Sequence, residues 1–171
     1  MQFSTVRALV GWAFQMSEAI PVKVQKFGEQ QTSPSFADVT PHDLKAQAAM
    51  VMLKINRLPA EQRAVLWALH VQRETEMVYL TTHTPCRWGY RTDLDIIRKW
   101  ATGEGPGCRE VGDRHHVHYS TASRYEKTVV RAVEVLMHSA YRTLEGPHAE
   151  MLERLCYTDA RSGMIILDAA A

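Results

Sequence analysis

The chain has 171 residues, 46 % hydrophobic and 23 % charged, so it can bury a sizeable core and is not a wholly disordered chain. Its 20 Lys and Arg residues against 19 Asp and Glu give a formal net charge of +1, which excludes a uniformly basic nucleic-acid binder but not a locally basic one. No stretch free of these charged residues reaches the roughly 20 residues that span a bilayer, and we find no secretory signal. The three scattered cysteines fit a reducing compartment, so we expect a cytoplasmic protein that does not enter a membrane.

The first predicted elements are two amphipathic helices separated by a linker. Apolar residues recur at helical spacing over 3–19, and a Gly-, Ser- and Pro-containing stretch over 28–35 indicates a loop. Residues 1–40 are therefore predicted to form an N-terminal helix and linker. A second helix is predicted over 41–57, with Pro41 at its first position.

The middle of the chain is predicted to be helical and interrupted by loops. Leu58-Pro59 ends the second helix, and Pro59 can open another that runs to about residue 78. Residues 81–91 are predicted to be a loop, followed by a short helix over 93–101 that Thr92 can cap.

The rest of the chain is predicted to be a glycine-rich loop followed by a long helical region. Four residues of the stretch 103–107 are Gly or Pro, which indicates a loop. Helical character returns at Cys108 and continues to Glu145, where Gly146-Pro147 is predicted to end the helix. No convincing strand is found, so the predicted fold class is all-α.

Positive charge is concentrated in the middle of the sequence. Residues 84–131 hold 9 basic and 6 acidic side chains, a net charge of +3, whereas residues 132–171 hold 3 basic and 6 acidic, a net charge of −3. This asymmetry alone is compatible with an ordinary protein surface. It gains meaning only if another feature of the same segment indicates nucleic acid.

The stretch 111–127 has the residue types that a helix-turn-helix unit requires, in the right order. Val111 and Gly112 supply an apolar residue and then a small one, where a second helix can cross closely. Such a crossing accounts for a glycine that costs about 1 kcal/mol relative to Ala in a helix. Val117 is the buried branched residue expected after the turn, and Ala122 the inward-facing residue of the second helix. The polar residues of that helix are our candidates for contacts with phosphates and base edges: Tyr119, Ser120, Thr121, Ser123, Arg124 and Lys127.

Two separate segments resemble parts of region 4 of bacterial sigma factors. Residues 111–127 resemble its helix-turn-helix, and Leu58-Pro59-Ala60-Glu61-Gln62-Arg63-Ala64-Val65-Leu66 is very similar to the break between its upstream helices. The two segments occur in the right chain order, although residues 78–107 replace what is a short link in the family. The resemblance covers roughly residues 44–80 and 107–137.

The resemblance implies a multi-helix domain with a sigma region 4-like helix-turn-helix and a long C-terminal helix. Residues 41–145 would form a helical DNA-binding domain with an inserted segment, 81–107, and residues 146–171 a C-terminal extension. The opening Val6-Arg7-Ala8-Leu9-Val10-Gly11-Trp12 also looks like that of small phage late-gene antitermination proteins of the Q type.

That second resemblance implies a sequence-specific transcription regulator of phage or mobile-element origin, acting in the bacterial host cytoplasm. Most specifically, it implies an antiterminator that binds DNA near a late promoter and loads onto RNA polymerase. The implied partners are double-stranded DNA and bacterial RNA polymerase, a sigma factor, or both, with no cofactor.

Other interpretations remain open from the residues alone. The long helical region carries an apolar stripe that suits either a core or a homodimer, so one alternative is a protein-interaction adaptor. Another is a promoter-binding repressor or activator without antitermination activity. The stripe consists of Val129, Val133, Leu136, Ala140 and Leu144.

Spacing and missing motifs count against a zinc site and against an enzyme. His83, Cys86, Cys108 and His115 could give zinc a tetrahedral site, but Cys108 and His115 lie seven positions apart, which is a poor chelating spacing. The Gly-rich loop 103–107 lacks the Lys-Ser/Thr of a nucleotide-binding loop, and no catalytic arrangement stands out. We therefore expect no catalysis and no resident metal.

Overall fold

A computed structural model describes residue 3 and residues 5–18 and 41–167, with side chains described for residues 3, 5–18 and 43–146. These residues contain seven α-helices and no β-strand, which confirms the all-α prediction for the described part of the chain. Residues 19–40, which contain the loop predicted over 28–35, and the final residues 168–171 lie outside it. Within the described residues, no helix is both long and apolar enough to cross a membrane.

The helices are packed around the last one. In chain order they are α1 (Val6–Glu18), α2 (Pro41–Asn56), α3 (Ala60–Val71), α4 (Glu74–Thr81), α5 (Tyr90–Thr102), α6 (Cys108–Arg114) and α7 (Tyr119–Leu167). Helix α7 contacts α1, α3, α5 and α6, while α1 pairs with α2 and α4 lies between α3 and α5. The first half of α7 is therefore the axis on which the other elements are placed.

The apolar stripe of α7 lies in the core of this chain. Val129, Val133, Ala140 and Leu144 are buried, and Leu136 is half-buried against the same core. Full burial of an aliphatic side chain stabilises a fold by about 1.5–3 kcal/mol. This stripe therefore fixes which face of α7 points inward, and consequently which face is left for solvent or a partner.

The single helix predicted from Pro59 to about residue 78 is wrong. The chain breaks at Gln72, which has a left-handed backbone with φ of 58°, and α4 starts two residues later. Neither Gly nor Pro marks this break. The bend lets Met77 and Leu80 reach the core, so tertiary packing outweighs the helical spacing of the sequence.

The predicted helix end at Gly146-Pro147 is also wrong, because α7 continues to Leu167. Proline removes one backbone hydrogen bond, but the turns on both sides keep theirs. A proline therefore weakens a long helix without necessarily ending it. At 49 residues, α7 is about 70 Å long and continues well past the described core.

Candidate nucleic-acid interface

A tight connection joins α6 to α7, and it depends on Gly112. The turn spans residues 115–118, and His116 within it has a left-handed backbone with φ of 54°. The Val117 N–H donates to the Gly112 carbonyl at 2.9 Å, and a Cβ on Gly112 would lie 2.8 Å from the Val117 carbonyl oxygen. The glycine therefore permits the close approach that its position in the sequence predicted. Val117 itself is half-buried rather than fully buried.

His118 caps the start of α7. Its Nδ1 accepts a hydrogen bond from the Ser120 N–H at 3.3 Å and lies 2.8 Å from the Ser120 hydroxyl oxygen. Its carbonyl accepts from the Thr121 N–H at 2.9 Å. A histidine thus does what a Ser or Asp commonly does at a helix start, which fixes the direction in which α7 leaves the turn.

The six candidate contact residues lie in the first turns of α7, but on more than one side of the helix. Tyr119, Arg124 and Lys127 are exposed, whereas the three small polar residues are half-buried. Thr121 borders the loop that precedes α5, and Ser123 lies on the opposite side of the helix, beside Cys108. Ala122 is buried, as expected for the inward-facing position. Only Arg124 and Lys127 present charge directly to solvent.

The outer face of α7 carries unpaired positive charge. Arg124, Lys127 and Arg131 are exposed, and none of them makes an ion pair with any described residue. Helical periodicity places the three on one face, where Glu134 is the first acidic side chain further along. This face is therefore a basic strip about two turns long.

The nearest carboxylate of α7 in sequence, that of Glu126, is engaged elsewhere. Glu126, which is half-buried, accepts from the Lys99 ammonium at 2.8 Å and from the Cys108 thiol at 2.7 Å. Burial acts to raise the pKa of Glu126, but hydrogen bonds from Cys108 and Lys99 outweigh it and hold the pKa below its usual value. Its negative charge is consequently compensated between α5 and α6 and does not neutralise the basic strip.

A fully buried carboxylate ties the loop before α5 to α7. Asp93 accepts a hydrogen bond from the Tyr125 hydroxyl at 2.6 Å and another from the Cys86 N–H at 3.0 Å. The Tyr125 oxygen in turn accepts from the Arg87 N–H at 2.8 Å. Burial, followed by the hydrogen bond to Asp93, raises the pKa of Tyr125, so the hydroxyl keeps its proton.

An aromatic side chain reinforces this anchor. The ring of Trp88 lies 4.4 Å from that of Tyr125 and stacks on His115 at 5.0 Å. His115 also hydrogen-bonds the Thr92 hydroxyl at 2.9 Å. The prediction that Thr92 caps α5 is wrong, because α5 already begins at Tyr90, after Gly89 with φ of 88°, and Thr92 lies inside the helix.

The four zinc candidates are not brought together. Cys108 donates to Glu126, His115 pairs with Thr92, the Cys86 thiol donates to the Thr81 carbonyl at 3.2 Å, and His83 is exposed. No three His, Cys, Asp or Glu side chains converge into a possible metal site anywhere in the part of the chain that the structure describes.

Comparisons of this chain with protein-family models, with curated proteins and with solved structures find no match.

Proposed function

We propose that this chain is a sequence-specific regulator of transcription that binds double-stranded DNA through α6, the turn after it and the start of α7. The observation that carries the proposal is the exposed row of unpaired cations on α7, which begins one turn after the glycine-dependent connection from α6. In a helix-turn-helix, the second helix enters the major groove with its first turns against the bases. Arg124 would then contact a base edge or phosphate, and Lys127 a phosphate.

The polar start of α7 supports the same placement. Tyr119 is exposed, Ser120 follows it, and the N-terminal end of a helix favours phosphate oxygens. The four-residue turn and the crossing at Gly112 hold α6 against α7, so that α6 can lie across the DNA backbone while α7 enters the groove.

The proposal is tested with purified variants and a duplex selected from a random library. Arg124→Ala should weaken binding by about 1–3 kcal/mol if the side chain contacts a base edge, and should relax the sequence preference at that position. Lys127→Ala should weaken binding to all duplexes by a similar factor. Arg142→Ala, an exposed arginine further along the same helix, is the control. If Arg124→Ala and Lys127→Ala bind as well as the parent, this surface does not contact DNA.

More specifically, we propose that the regulator is an antiterminator whose polymerase-facing surface includes α3. Leu58, just before α3, and Leu66 within it are buried, and α3 packs against α7. Glu61 and Arg63 are then half-exposed on the segment that resembles the sigma-factor region. Bacterial RNA polymerase, a sigma factor, or both would be the partner. In a transcription assay with purified polymerase and a downstream terminator, increased readthrough at unchanged initiation supports this proposal. A change in initiation alone would indicate a conventional repressor or activator.

A protein-interaction adaptor is the second candidate. The side chains of Met50 and Leu53 on α2 are 54 % and 53 % exposed, which is high for large apolar groups. Salt separates the two candidates, because a phosphate-contacting surface loses affinity steeply as salt rises and an apolar interface does not.

A further inference from the structure

The loop before α5 places a second arginine beside the basic strip of α7. Arg87 and Arg124 line the same shallow cleft of about 400 Å³, together with Thr121 and Thr128. Arg87 lies 37 positions before Arg124 in the sequence and outside the predicted helix-turn-helix. Both arginines are exposed.

The backbone of Arg87 is fixed, although its side chain is exposed. The N–H of Arg87 donates to the Tyr125 hydroxyl, and the preceding Cys86 N–H donates to the buried Asp93. Cys86 adopts a left-handed backbone with φ of 47°, which turns the loop back towards α7. These bonds use backbone atoms, so a change of the Arg87 side chain leaves the anchor in place.

The cleft has the chemistry of an anion site. None of its lining residues is acidic, and Arg87, like Arg124, makes no ion pair with a described residue. The Thr128 hydroxyl already donates to the Arg124 carbonyl at 3.0 Å, so the two guanidinium groups and the Thr121 hydroxyl are the donors of the cleft. Guanidinium matches the oxygens of a phosphate with paired N–H groups.

We infer that Arg87 contacts a phosphate of the DNA backbone next to the groove that α7 enters. This inference rests on the proposed function and extends it, because the inserted segment then contributes to binding as well as to the fold. A phosphate contact fixes the position of a protein on a duplex but carries no sequence information. Arg87 should therefore add affinity and leave the preference among sequences unchanged.

The experiment measures binding of labelled duplexes, one of random and one of selected sequence, as salt is varied. Each phosphate contact contributes about 0.9 to the slope of log K against log salt, so Arg87→Gln should reduce the slope by about one. The factor by which Arg87→Gln weakens binding relative to the parent should accordingly be about three times smaller at roughly 200 mM salt than at roughly 50 mM. The preference for selected over random duplex should not change. Arg91→Gln removes the same charge from an exposed residue of α5 outside the cleft and should leave the slope unchanged.

The outcomes separate this inference from the proposed function. If Arg124→Gln lowers the slope but Arg87→Gln behaves like Arg91→Gln, the inference fails and the proposed function stands. If the parent protein binds neither duplex, both fail. If poly-glutamate displaces the duplex at equal charge concentration and Arg87→Gln weakens both ligands alike, the cleft is a site for acidic protein and the inference is overturned.

Discussion

The hydroxyl of Tyr125 connects α7 to Asp93 in α5 and to the backbone of Arg87 in the loop before α5. Tyr125→Phe removes this hydroxyl and keeps the ring. The ring would still pack against Trp88, so the change is confined to two hydrogen bonds, one to Asp93 and one from Arg87. Both bonds join α7 to the segment before or within α5. We expect this variant to be markedly destabilised.

The magnitude follows from what each bond leaves behind. A hydrogen bond to a charged group contributes about 1.5–3 kcal/mol, and one between neutral groups about 0.5–1.5 kcal/mol. Asp93 is 0 % exposed, so water cannot replace the lost donor, whereas the bond from the Arg87 N–H is only partly buried. We therefore expect the free energy of unfolding to fall by about 2–4 kcal/mol, most of it from the buried carboxylate.

Urea denaturation followed by circular dichroism measures this loss as a lower midpoint at an unchanged slope. For a chain of this length, the melting temperature should fall by about 4–16 °C. Tyr141→Phe is the matched control, because its hydroxyl makes one longer contact of 3.3 Å, with His70 Nε2, and should cost at most about 1 kcal/mol. The reasoning is refuted if Tyr125→Phe is no less stable than Tyr141→Phe.

Two further changes test other parts of the fold. Gly112→Ala should lower the free energy of unfolding in urea by about 1–3 kcal/mol, because the new Cβ would lie 2.8 Å from a backbone carbonyl oxygen of the following turn. Gly146→Ala is the control, because Gly146 has open space around it and alanine should stabilise α7 there by up to about 1 kcal/mol. Equal effects at the two glycines would contradict the close approach at Gly112. Burial lowers the pKa of His70, so the unfolded state binds the proton more readily, and stability should be full above about pH 6.5 and fall as the pH drops below it. In urea unfolding measured across pH, His70→Gln should reduce this loss of stability at low pH, whereas a change of the exposed His138 to Gln should not. If the pH profile of His70→Gln equals that of the parent, His70 is not the group responsible.

The parts of the fold predictable from sequence are those set by local patterns. Apolar spacing located α1 and α2, and the start of α2 at Pro41 was predicted to the residue. Gly112 was interpretable because a glycine inside a helical segment has few reasons to be there other than close packing. The inward face of α7 is predictable because its apolar residues recur every three or four positions, and these are the residues that pack into the core.

The parts that escaped prediction depend on residues far apart in the chain. Asp93 and Tyr125 are 32 positions apart, and an acid in the first turn of a helix is already explained by favourable interaction with the helix dipole. The break at Gln72 has no local signal and follows from the burial of Met77 and Leu80. The position of Arg87 has no sequence signal for the same reason, because nothing in a loop sequence indicates which helix the loop will lie against.

The same stretch of α7 organises the fold and carries the proposed interface, and this follows from helix geometry. Adjacent residues of a helix differ by about 100° in direction, so Tyr125 faces inward while Arg124 faces outward. The hydroxyl of Tyr125 holds the backbone of Arg87, and its own helix carries Arg124. The two cations are therefore positioned by one buried side chain between them. The 27 residues of the segment 81–107 are thereby held against α7 by a carboxylate from which water is excluded, so the cleft shared by Arg87 and Arg124 has a fixed wall on each side.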